Sequence, residues 1–320
     1  MRQYLKYKHK YNIIKPEKIG GGLAMGLKVE NVSKCFDNKL VVDNISFEIN
    51  EPGVFGLLGT NGAGKTTTIR MILGIIKKDK GEITWNGKAV DRKNVNFGYL
   101  PEERGIYPKS KIFDQLLYFA ELKGMKVQEA SEEIKDWMER LKIDEYQNMT
   151  AEKLSKGNQQ KVQFITAILN NPELIVLDEP FSGLDPVNTE LLKEVIIELV
   201  KKGKYIIMSS HQMTSIEEFC KDVVIINKGK TVLKGNLKEI KNSYQANRLE
   251  INANKDITSY INEAGMTIEK NIDNNYEIKI ENEEQAHSLM KTLVVQGVKL
   301  NKFELQKPSL NDIFIEKVGE

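Results

Sequence analysis

The chain has 320 residues and a formal net charge of +2, a balance that gives no electrostatic reason to expect a nucleic acid as partner. Its composition, 40% hydrophobic and 29% charged residues, is that of an ordinary globular protein. No run approaches the roughly 20 apolar residues that a membrane helix needs, so a membrane process would require a separate spanning chain. Cys35 and Cys220 match no metal-binding spacing and fit packing roles in a reducing compartment.

Residues 1–24 differ in composition and in apolar periodicity from the rest of the chain. Met1–Lys18 is rich in lysine and tyrosine, has little apolar periodicity and lacks the apolar core of a secretory signal. The alternation that is typical of a first strand starts only after Met25. We therefore predict a basic extension that is disordered or precedes the true start at Met25, with a lipid-contacting arm as the alternative.

From Leu27 to about Leu233, short apolar runs alternate with longer helical stretches, which predicts an α/β architecture with a mostly parallel sheet. Leu27–Val32 and Asn44–Ile49 flank the turn-forming residues 37–39, which indicates an antiparallel hairpin before that sheet. The candidate strands of the sheet are Val54–Leu58, Phe97–Leu100, Leu174–Leu177, Tyr205–Ser209 and Val223–Ile226.

Two further regions complete the predicted organisation. The amphipathic stripes Phe113–Leu122 and Ile134–Leu141 predict a helical subdomain at about residues 103–152, inserted in a domain of residues 25–240. Beyond it, residues 241–320 follow the order β-α-β-β-α-β, which is the ferredoxin-like pattern of a small α+β domain.

The strongest motif is the segment Gly59–Thr66, the phosphate loop, which fits G-x-x-x-x-G-K-[ST] between an apolar strand and a helix. Its glycines let the backbone curl so that N–H groups point at phosphate oxygens, and the following helix adds its positive N-terminal dipole. Lys65 can reach the β- and γ-phosphates of a nucleotide, and the Thr66 hydroxyl can ligate Mg²⁺. The predicted phosphate-binding residues are Gly59, Asn61, Gly62, Ala63, Gly64, Lys65, Thr66 and Thr67.

A second motif is acidic. The apolar run Leu174–Leu177 ends in Asp178 and Glu179, at the edge where α/β sheets bind ligands. Neighbouring side chains on an extended segment face opposite ways, so we expect different roles for the two carboxylates. Asp178 suits the metal ion together with Thr66, and Glu179 suits polarisation of an attacking water.

The signature segment, Leu154–Gln160, has Ser155 at the start of a predicted helix, where a serine is either a plain N-cap or part of an anion site. The order along the chain favours the anion site, because the phosphate loop, the signature segment, the acidic strand, Ser182–Asp185 and His211 follow one another. In this order of motifs the chain resembles the nucleotide-binding subunits of ABC transporters over about Leu27–Gly235.

The resemblance implies that the chain binds and hydrolyses Mg-ATP as a head-to-tail dimer with itself or with a homologous ATPase subunit. In the family, the positions of Ser155, Gly157 and Asn158 bind the γ-phosphate that the partner's phosphate loop holds. Asp185 stands in the loop that couples the two sites. His211 resembles the switch histidine beside the γ-phosphate, which adds it to the expected catalytic residues.

Four positions need comment. Phe36 stands where the family has an aromatic residue that stacks on adenine, usually tyrosine, although core packing would explain a phenylalanine equally well. Glu102 replaces a glutamine; it can still approach Mg²⁺ or the attacking water, with Arg104 offsetting its charge. Lys156 and Asn158 stand where the family most often has glycine and glutamine, and Lys156 either approaches the γ-phosphate or faces solvent.

Pro101–Gly105, the signature segment and the tail Pro308–Phe314 resemble bacterial export-type subunits of sodium-extrusion and drug-resistance transporters. This implies an integral-membrane permease as partner, no nucleic-acid partner, and a cytoplasmic location at the inner face of the membrane. The alternatives are an ABC-type ATPase that acts on ribosomes or DNA, and a P-loop GTPase or kinase. ABC-type ATPases of the ribosome or DNA class typically have two cassettes or a long insert, and neither is present in this sequence. A GTPase usually has the guanine motif Asn-Lys-x-Asp, and the nearest match, Asn227–Lys230, lacks the aspartate.

Overall fold

The structure, a computed structural model, describes residues 26–90, 95–103 and 105–319. The predicted extension of residues 1–24 and Arg104 lie outside the described residues. Within those ranges, no helix combines the length and the apolar character that crossing a membrane requires.

The strands are β1 (Leu27–Phe36), β2 (Lys39–Ile49), β3 (Gly53–Gly59), β4 (Lys80–Trp85), β5 (Lys88–Ala89), β6 (Phe97–Leu100), β7 (Leu174–Asp178), β8 (Tyr205–Ser210), β9 (Cys220–Asn227), β10 (Lys230–Asn236), β11 (Arg248–Ala253), β12 (Thr267–Ile272), β13 (Asn275–Lys279) and β14 (Leu300–Gln306). The helices are α1 (Lys65–Ile72), α2 (Ile112–Leu122), α3 (Val127–Arg140), α4 (Lys156–Ile168), α5 (Pro186–Lys201), α6 (Thr214–Glu217), α7 (Leu237–Asn242), α8 (Thr258–Glu263), α9 (Glu283–Val295) and α10 (Leu310–Gly319).

The chain divides into two compact units that do not follow a single cut in the sequence. The first unit consists of the chain up to His211 together with the short segment Ile226–Thr231. The second combines Gln212–Ile225 with the residues from Val232 onward. The β9–β10 hairpin is therefore shared, and its turn belongs to the first unit.

A parallel sheet runs through the first unit with its strands in the order β3-β8-β7-β6. The apolar sequence of β7 is buried at every position, as expected for a strand inside a parallel sheet. Three of these strands reach one residue beyond the predicted apolar runs, to Gly59, Asp178 and Ser210. Because carboxyl ends of parallel strands share one edge, these extensions bring the end residues of three strands together.

The first unit also has an antiparallel sheet in the order β2-β1-β4-β5. Its β1–β2 hairpin confirms the predicted one and is longer, with Asp37 and Asn38 in the turn at φ values of 46° and 63°. Asparagine and aspartate tolerate this left-handed conformation better than other side chains do.

The predicted helical stripes in α2 and α3 are only partly buried. Leu116, Ala120, Ile134, Met138 and Leu141 are buried, whereas Phe113, Leu117 and Trp137 are half-buried. Leu122 was expected on the apolar face of α2, but it is 66% exposed. The buried stripe instead consists of Ile112, Leu116 and Ala120, at intervals of four residues. Leu122 lies two residues past Ala120, about 200° around the helix, and so faces away from the stripe.

The second unit contains the predicted β-α-β-β-α-β order, which is confirmed. Its four antiparallel strands lie in the order β12-β13-β11-β14, the ferredoxin-like arrangement. The apolar face of the sheet packs in a core of buried residues that includes Leu249, Ile251, Tyr276, Ile278 and Leu289.

The last helix, α10, starts with reciprocal caps and is bonded to α6. The Ser309 Oγ accepts a hydrogen bond from the Asp312 N–H at 3.2 Å, and Asp312 Oδ2 accepts one from the Ser309 N–H at 2.9 Å. The Leu310 N–H donates to Glu217 Oε1, which also lies 3.5 Å from Lys241 Nζ. All these contacts lie within the second unit.

Candidate nucleotide-binding site

The phosphate loop follows β3 and ends at the first residue of α1. Gly64 is the N-cap of α1 with φ of 106°, a conformation that glycine adopts without strain. Its carbonyl accepts hydrogen bonds from both the N–H and the Oγ1 of Thr68 at 2.9 Å. The four remaining predicted contacts, Asn61, Gly62, Ala63 and Thr67, lie in the loop or in the first turn of α1.

Lys65 is the buried cation of the site. Its Nζ donates to the carbonyl oxygens of Gly59 at 2.8 Å and Thr60 at 3.3 Å, and it lies 3.9 Å from Glu179 Oε1. Burial lowers the pKa of Lys65, whereas the negative charges of Glu179, Asp178 and Glu102 raise it. The phosphate loop therefore holds an ammonium group beside carboxylates, in a position where phosphate oxygens would find a charged donor.

Asp178 and Thr66 form a second pair at this edge. The Thr66 Oγ1 donates to Asp178 Oδ2 at 3.0 Å, and the Ser209 Oγ donates to Asp178 Oδ1. Asp178 is fully buried, and burial raises the pKa of its carboxyl while the two hydroxyl groups lower it. A hydroxyl and a buried carboxylate are hard oxygen donors of the kind that Mg²⁺ prefers.

Glu179 leaves β7 with φ of 51°, so the alternation of an extended strand does not set its direction. The Ser210 Oγ donates to its Oε2 at 3.2 Å. The backbone N–H of His211 donates to Oε1 at 2.8 Å, and the ring Nδ1 of His211 lies at 2.8 Å from the same oxygen. Asp178 and Glu179 thus have different hydrogen-bond partners because of the left-handed turn after the strand, and their different roles stay a prediction.

The arrangement around Glu179 can support proton transfer. Its carboxylate is 7% exposed and is fixed by Ser210 and His211, so it cannot swing freely. A fixed carboxylate accepts a proton from a water molecule placed within hydrogen-bond distance. With Nδ1 of His211 donating to Glu179, the neutral ring has Nε2 as a hydrogen-bond acceptor, and only the imidazolium donates from both nitrogens.

The signature segment begins α4. Ser155 is exposed and is the N-cap, because its Oγ accepts a hydrogen bond from the Asn158 N–H at 3.2 Å. Lys156 is exposed, whereas Gly157 is buried, and a Cβ at Gly157 would lie 3.4 Å from Leu184 Cδ2. The start of the helix thus has its serine and lysine in solvent, and the glycine packs inward.

One hydrogen bond connects this region with the residues after Glu179. Gln160 in α4 donates through Nε2 to the Pro180 carbonyl at 3.2 Å. Asp185 is exposed and caps α5, accepting from the Asn188 N–H at 2.9 Å, which lowers the pKa of its carboxyl. The bond from Gln160 therefore holds α4 beside the segment that leads to Asp185.

Phe36 and Glu102 lie at the margin of the cluster. Phe36, at the end of β1, is 44% exposed, and Lys34 Nζ lies 5.2 Å from its ring centroid. This exposure argues against core packing. Glu102 follows β6, is exposed, and acts on Lys65 through its charge.

Sequence reasoning missed three side chains that position the site. Ser209 and Ser210 hold Asp178 and Glu179, and Gln163 donates through Nε2 to the carbonyl oxygens of Glu103 and Pro101 at 3.0 and 3.4 Å. The two serines end an apolar strand, and that signal could have placed them beside the end of β7. Gln163 carried no such signal, because its role depends on a contact between α4 and the segment after β6.

Two families match the chain: ABC transporter, over residues 42–182, and ATP-binding protein DrrA1-3-like, C-terminal domain, over residues 235–318. YhaQ, an uncharacterized ABC transporter ATP-binding protein of Bacillus subtilis (strain 168), is 49% identical over 294 residues, which cover 92% of this chain and 98% of the relative. The chain belongs to the ABC transporter ATP-binding proteins.

Other similarities agree with this membership. The linearmycin resistance ATP-binding protein LnrL of Bacillus subtilis (strain 168) is 28% identical to this ABC protein, over 92% of the chain and 98% of the relative. A solved structure of an ATP-binding subunit of an ABC transporter is 30% identical, with a TM-score of 0.64, and covers 68% of this chain and 93% of its own. The resemblance and the fold class predicted from the sequence are confirmed. As a member of this family, the chain is an ATPase, and ABC ATPase domains bind ATP and ADP.

Proposed function

We propose that the chain powers export as the ATP-hydrolysing subunit of an ABC transporter, acting as a head-to-tail dimer on a separate membrane permease. The observation that carries the proposal is the convergence of Lys65, Thr66, Asp178, Glu179 and His211 at one edge of the parallel sheet. This cluster combines a cation for phosphate, oxygen donors for a metal ion, and a carboxylate base.

In this proposal the phosphate loop binds the phosphates of ATP through its N–H groups, and Lys65 neutralises the β- and γ-phosphate charge. The exposed ring of Phe36 stacks on adenine. Glu179 orients the attacking water and accepts its proton, while His211 holds Glu179 through Nδ1 and lies beside the γ-phosphate.

The donor set at Thr66 and Asp178 fits Mg²⁺, because a hydroxyl and a buried carboxylate lie 3.0 Å apart at the end of the phosphate loop. When bound, the ion supplies charge neutralisation at the phosphate oxygens. Glu102 supplies a further carboxylate near Lys65 and takes the place of the family's glutamine.

The dimer is proposed from the outward position of the signature segment. Ser155 and Lys156 are exposed at the start of a 13-residue helix, whose N–H groups and dipole favour an anion. A second copy of the chain brings its phosphate loop and ATP to this helix start, where Ser155, Gly157 and Asn158 bind the γ-phosphate. Asp185 connects the two sites.

Export, rather than another process, is supported by relatives. LnrL is named for resistance to linearmycin, and the match of residues 235–318 is to the C-terminal domain of DrrA1-3-like ATP-binding proteins. In this proposal residues 25–240 are the ATPase domain, with its helical subdomain at about 103–152, residues 241–320 are an accessory domain, and residues 1–24 are an extension. The subunit works at the cytoplasmic face of the membrane, where it contacts the permease.

Glu179→Gln tests the hydrolytic site. The amide keeps the hydrogen-bonding shape but cannot accept the proton, so turnover should fall by about a thousandfold while ATP affinity stays within about threefold. Because ATP is no longer consumed, the variant should also form a stable dimer with ATP, measured by light scattering.

A double variant, Glu179→Gln with Ser155→Arg, is the control for the dimer. It should bind ATP and remain a monomer, because the arginine fills the space of the partner's γ-phosphate. Wild-type phosphate release from Glu179→Gln would remove Glu179 from the role of base. Dimerisation of the double variant to the same extent as the single one would contradict the head-to-tail contact.

The permease is tested by co-expression with the neighbouring membrane protein gene. A partner with about six apolar spans should carry the chain into the membrane fraction and co-purify with it. If every such neighbour leaves the chain in the supernatant, the proposed partner class is wrong.

A further inference from the structure

The turn between β9 and β10, Asn227–Lys230, contacts the phosphate loop. The Gly229 N–H donates to the carbonyl oxygen of Ala63 at 2.9 Å, and the Gly229 carbonyl accepts from the Asp43 N–H at 2.8 Å. One peptide segment of the turn is thus bonded to the phosphate loop on one side and to β2 on the other. All three segments belong to the first unit.

The shape of the turn does not by itself require glycine at position 229. Lys228 and Gly229 have φ values of 47° and 81°, the left-handed pair of a two-residue hairpin turn. The β12–β13 hairpin has the same signs at Asp273 and Asn274, at 49° and 62°, and neither residue is glycine. The positive φ therefore explains a preference for glycine at position 229, but other residues can also adopt this conformation.

The space around Gly229 does require glycine. A Cβ at Gly229 would lie 2.6 Å from the Val41 carbonyl oxygen and 3.1 Å from the Val41 carbonyl carbon. A Cβ at Gly64 would lie 2.9 Å from the same oxygen and 3.8 Å from Gly229 Cα. The turn, β2 and the phosphate loop pack backbone against backbone, and a methyl group fits at neither glycine.

We propose that Gly229 is a positioning residue for the phosphate loop, because its missing side chain lets the turn approach closely enough to bond Ala63. Ala63 is 2% exposed, and its own N–H donates to the Thr60 carbonyl at 3.1 Å, so the loop is fixed from both sides of this residue. The proposal rests on the proposed function, since it takes Gly59–Thr66 as the site of the ATP phosphates.

Gly229→Ala tests the role. The methyl group pushes the turn away from Val41, and the phosphate loop loses the support at Ala63. Small displacements of a binding group lower affinity strongly, so we expect the KM for ATP to rise about tenfold. The kcat at saturating ATP should stay within about twofold, because Glu179 and His211 are untouched.

Gly203→Ala is the matched control. Gly203 has the same φ of 81°, but a Cβ there meets no atom of the described residues within 4 Å. Both variants force alanine into the same left-handed conformation, and only Gly229→Ala collides with backbone. The backbone strain is common to both variants and cancels in the comparison, so the difference in KM between them measures the effect of the collision at Gly229.

An unchanged KM in Gly229→Ala, or an equal rise in both variants, would overturn the proposal. If Gly229→Ala does not fold, as judged by circular dichroism, hydrogen exchange on the unmodified full chain takes its place. ATP should then slow exchange of the Gly229 N–H at least about threefold and leave that of Gly203 unchanged. The absence of slowing would equally refute the role.

Lys65→Ala keeps this test separate from the proposed function. Retention of full ATP affinity by Lys65→Ala would remove the phosphate-loop assignment itself. Loss of affinity in Lys65→Ala together with wild-type behaviour of Gly229→Ala would remove only the positioning role of Gly229.

Discussion

The two anion-binding regions of the first unit are built in opposite ways. Around the phosphate loop, Lys65, Asp178 and Glu179 are each less than a tenth exposed and are bonded to hydroxyl groups, carbonyls or each other. In the signature segment, Ser155 and Lys156 are exposed, and the Ser155 hydroxyl caps its own helix.

The difference indicates how the proposed reaction is divided between molecules. The chain preorganises its hydrolytic groups internally, where fixed dipoles and low exposure make electrostatic stabilisation effective. It presents the signature segment at the surface, where a second molecule can reach it. In the proposed dimer, ATP hydrolysis depends on assembly, because the buried phosphate loop of one chain needs the exposed signature segment of the other to complete each site.

Lys65→Ala should produce the largest change in nucleotide binding. Removing a charged donor from the phosphates costs about 1.5–3 kcal/mol, which corresponds to about 10- to 150-fold in the dissociation constant of ATP. Titration calorimetry measures the loss. Lys88→Ala, at an exposed lysine in β5, is the control and should bind ATP normally. Equal ATP affinities of the two variants would contradict the claim that the buried lysine of the phosphate loop binds the phosphates.

Mixing Ser155→Arg with Lys65→Ala subunits sharpens the division between the two regions. In a head-to-tail dimer both substitutions fall on one composite site, and the other site keeps an intact phosphate loop and an intact signature segment. Each variant alone should be nearly inactive, and the mixture should regain part of the hydrolysis.

Retention of ATP at one site per mixed dimer is measured alongside hydrolysis, because two sites that must act together would keep turnover low. Mixed dimers that hold ATP at both sites or at neither would count against the composite site. Full hydrolysis by an isolated Ser155→Arg monomer would refute the arrangement altogether.

Asp178→Asn should separate stability from activity in the buried region. Burial raises the pKa of the Asp178 carboxyl above its ordinary 3.8, so the folded chain holds the proton more tightly than the unfolded chain does. The contribution of Asp178 to the free energy of unfolding is therefore fully present below the pKa of the unfolded chain. It is lost as the pH rises through the higher pKa of the folded chain. At pH 7 the variant removes a buried charge and should be about 1–2 kcal/mol more stable without nucleotide.

Urea unfolding of the nucleotide-free chain measures this gain, and phosphate release should fall to background because a metal donor is lost. Asp114→Asn, at an exposed carboxylate of α2, should leave both quantities unchanged. A less stable Asp178→Asn chain would mean that the hydrogen bonds from Thr66 and Ser209 outweigh the burial of the charge.

Ser155→Ala should produce the smallest change. The loss of an N-cap costs about 1 kcal/mol or less of unfolding free energy, and the ATP affinity of the monomer should not change. A loss of affinity in the monomer, measured by calorimetry at concentrations below dimerisation, would mean that Ser155 acts within its own chain.

Much of the fold was predictable because its signals are local. The strand β7 follows from four consecutive apolar residues, and the turn at Asp37–Asn38 follows from side chains that tolerate positive φ. The phosphate loop follows from the spacing of Gly59, Gly64 and Lys65 between a strand and a helix.

The rest depends on contacts between segments that are distant in sequence. The role of Ser209 follows from β8 lying between β3 and β7, an order that no residue of β8 encodes. The direction of Glu179 follows from a single left-handed residue after a strand, in a sequence with no glycine at that point. The need for glycine at 229 follows from the carbonyl of Val41, which is far away in the chain.

The hydrogen bond between the Leu310 N–H and Glu217 has a consequence for how domains of such proteins can be exchanged by recombination. Glu217 belongs to a stretch, Gln212–Ile225, that is encoded directly after His211 but packs with the tail. Recombination that exchanged tails at a point near residue 240 would leave this stretch behind and pair it with a foreign last helix. Tail and stretch are therefore expected to have been passed on together, as one inherited block interrupted by the turn that contains Gly229.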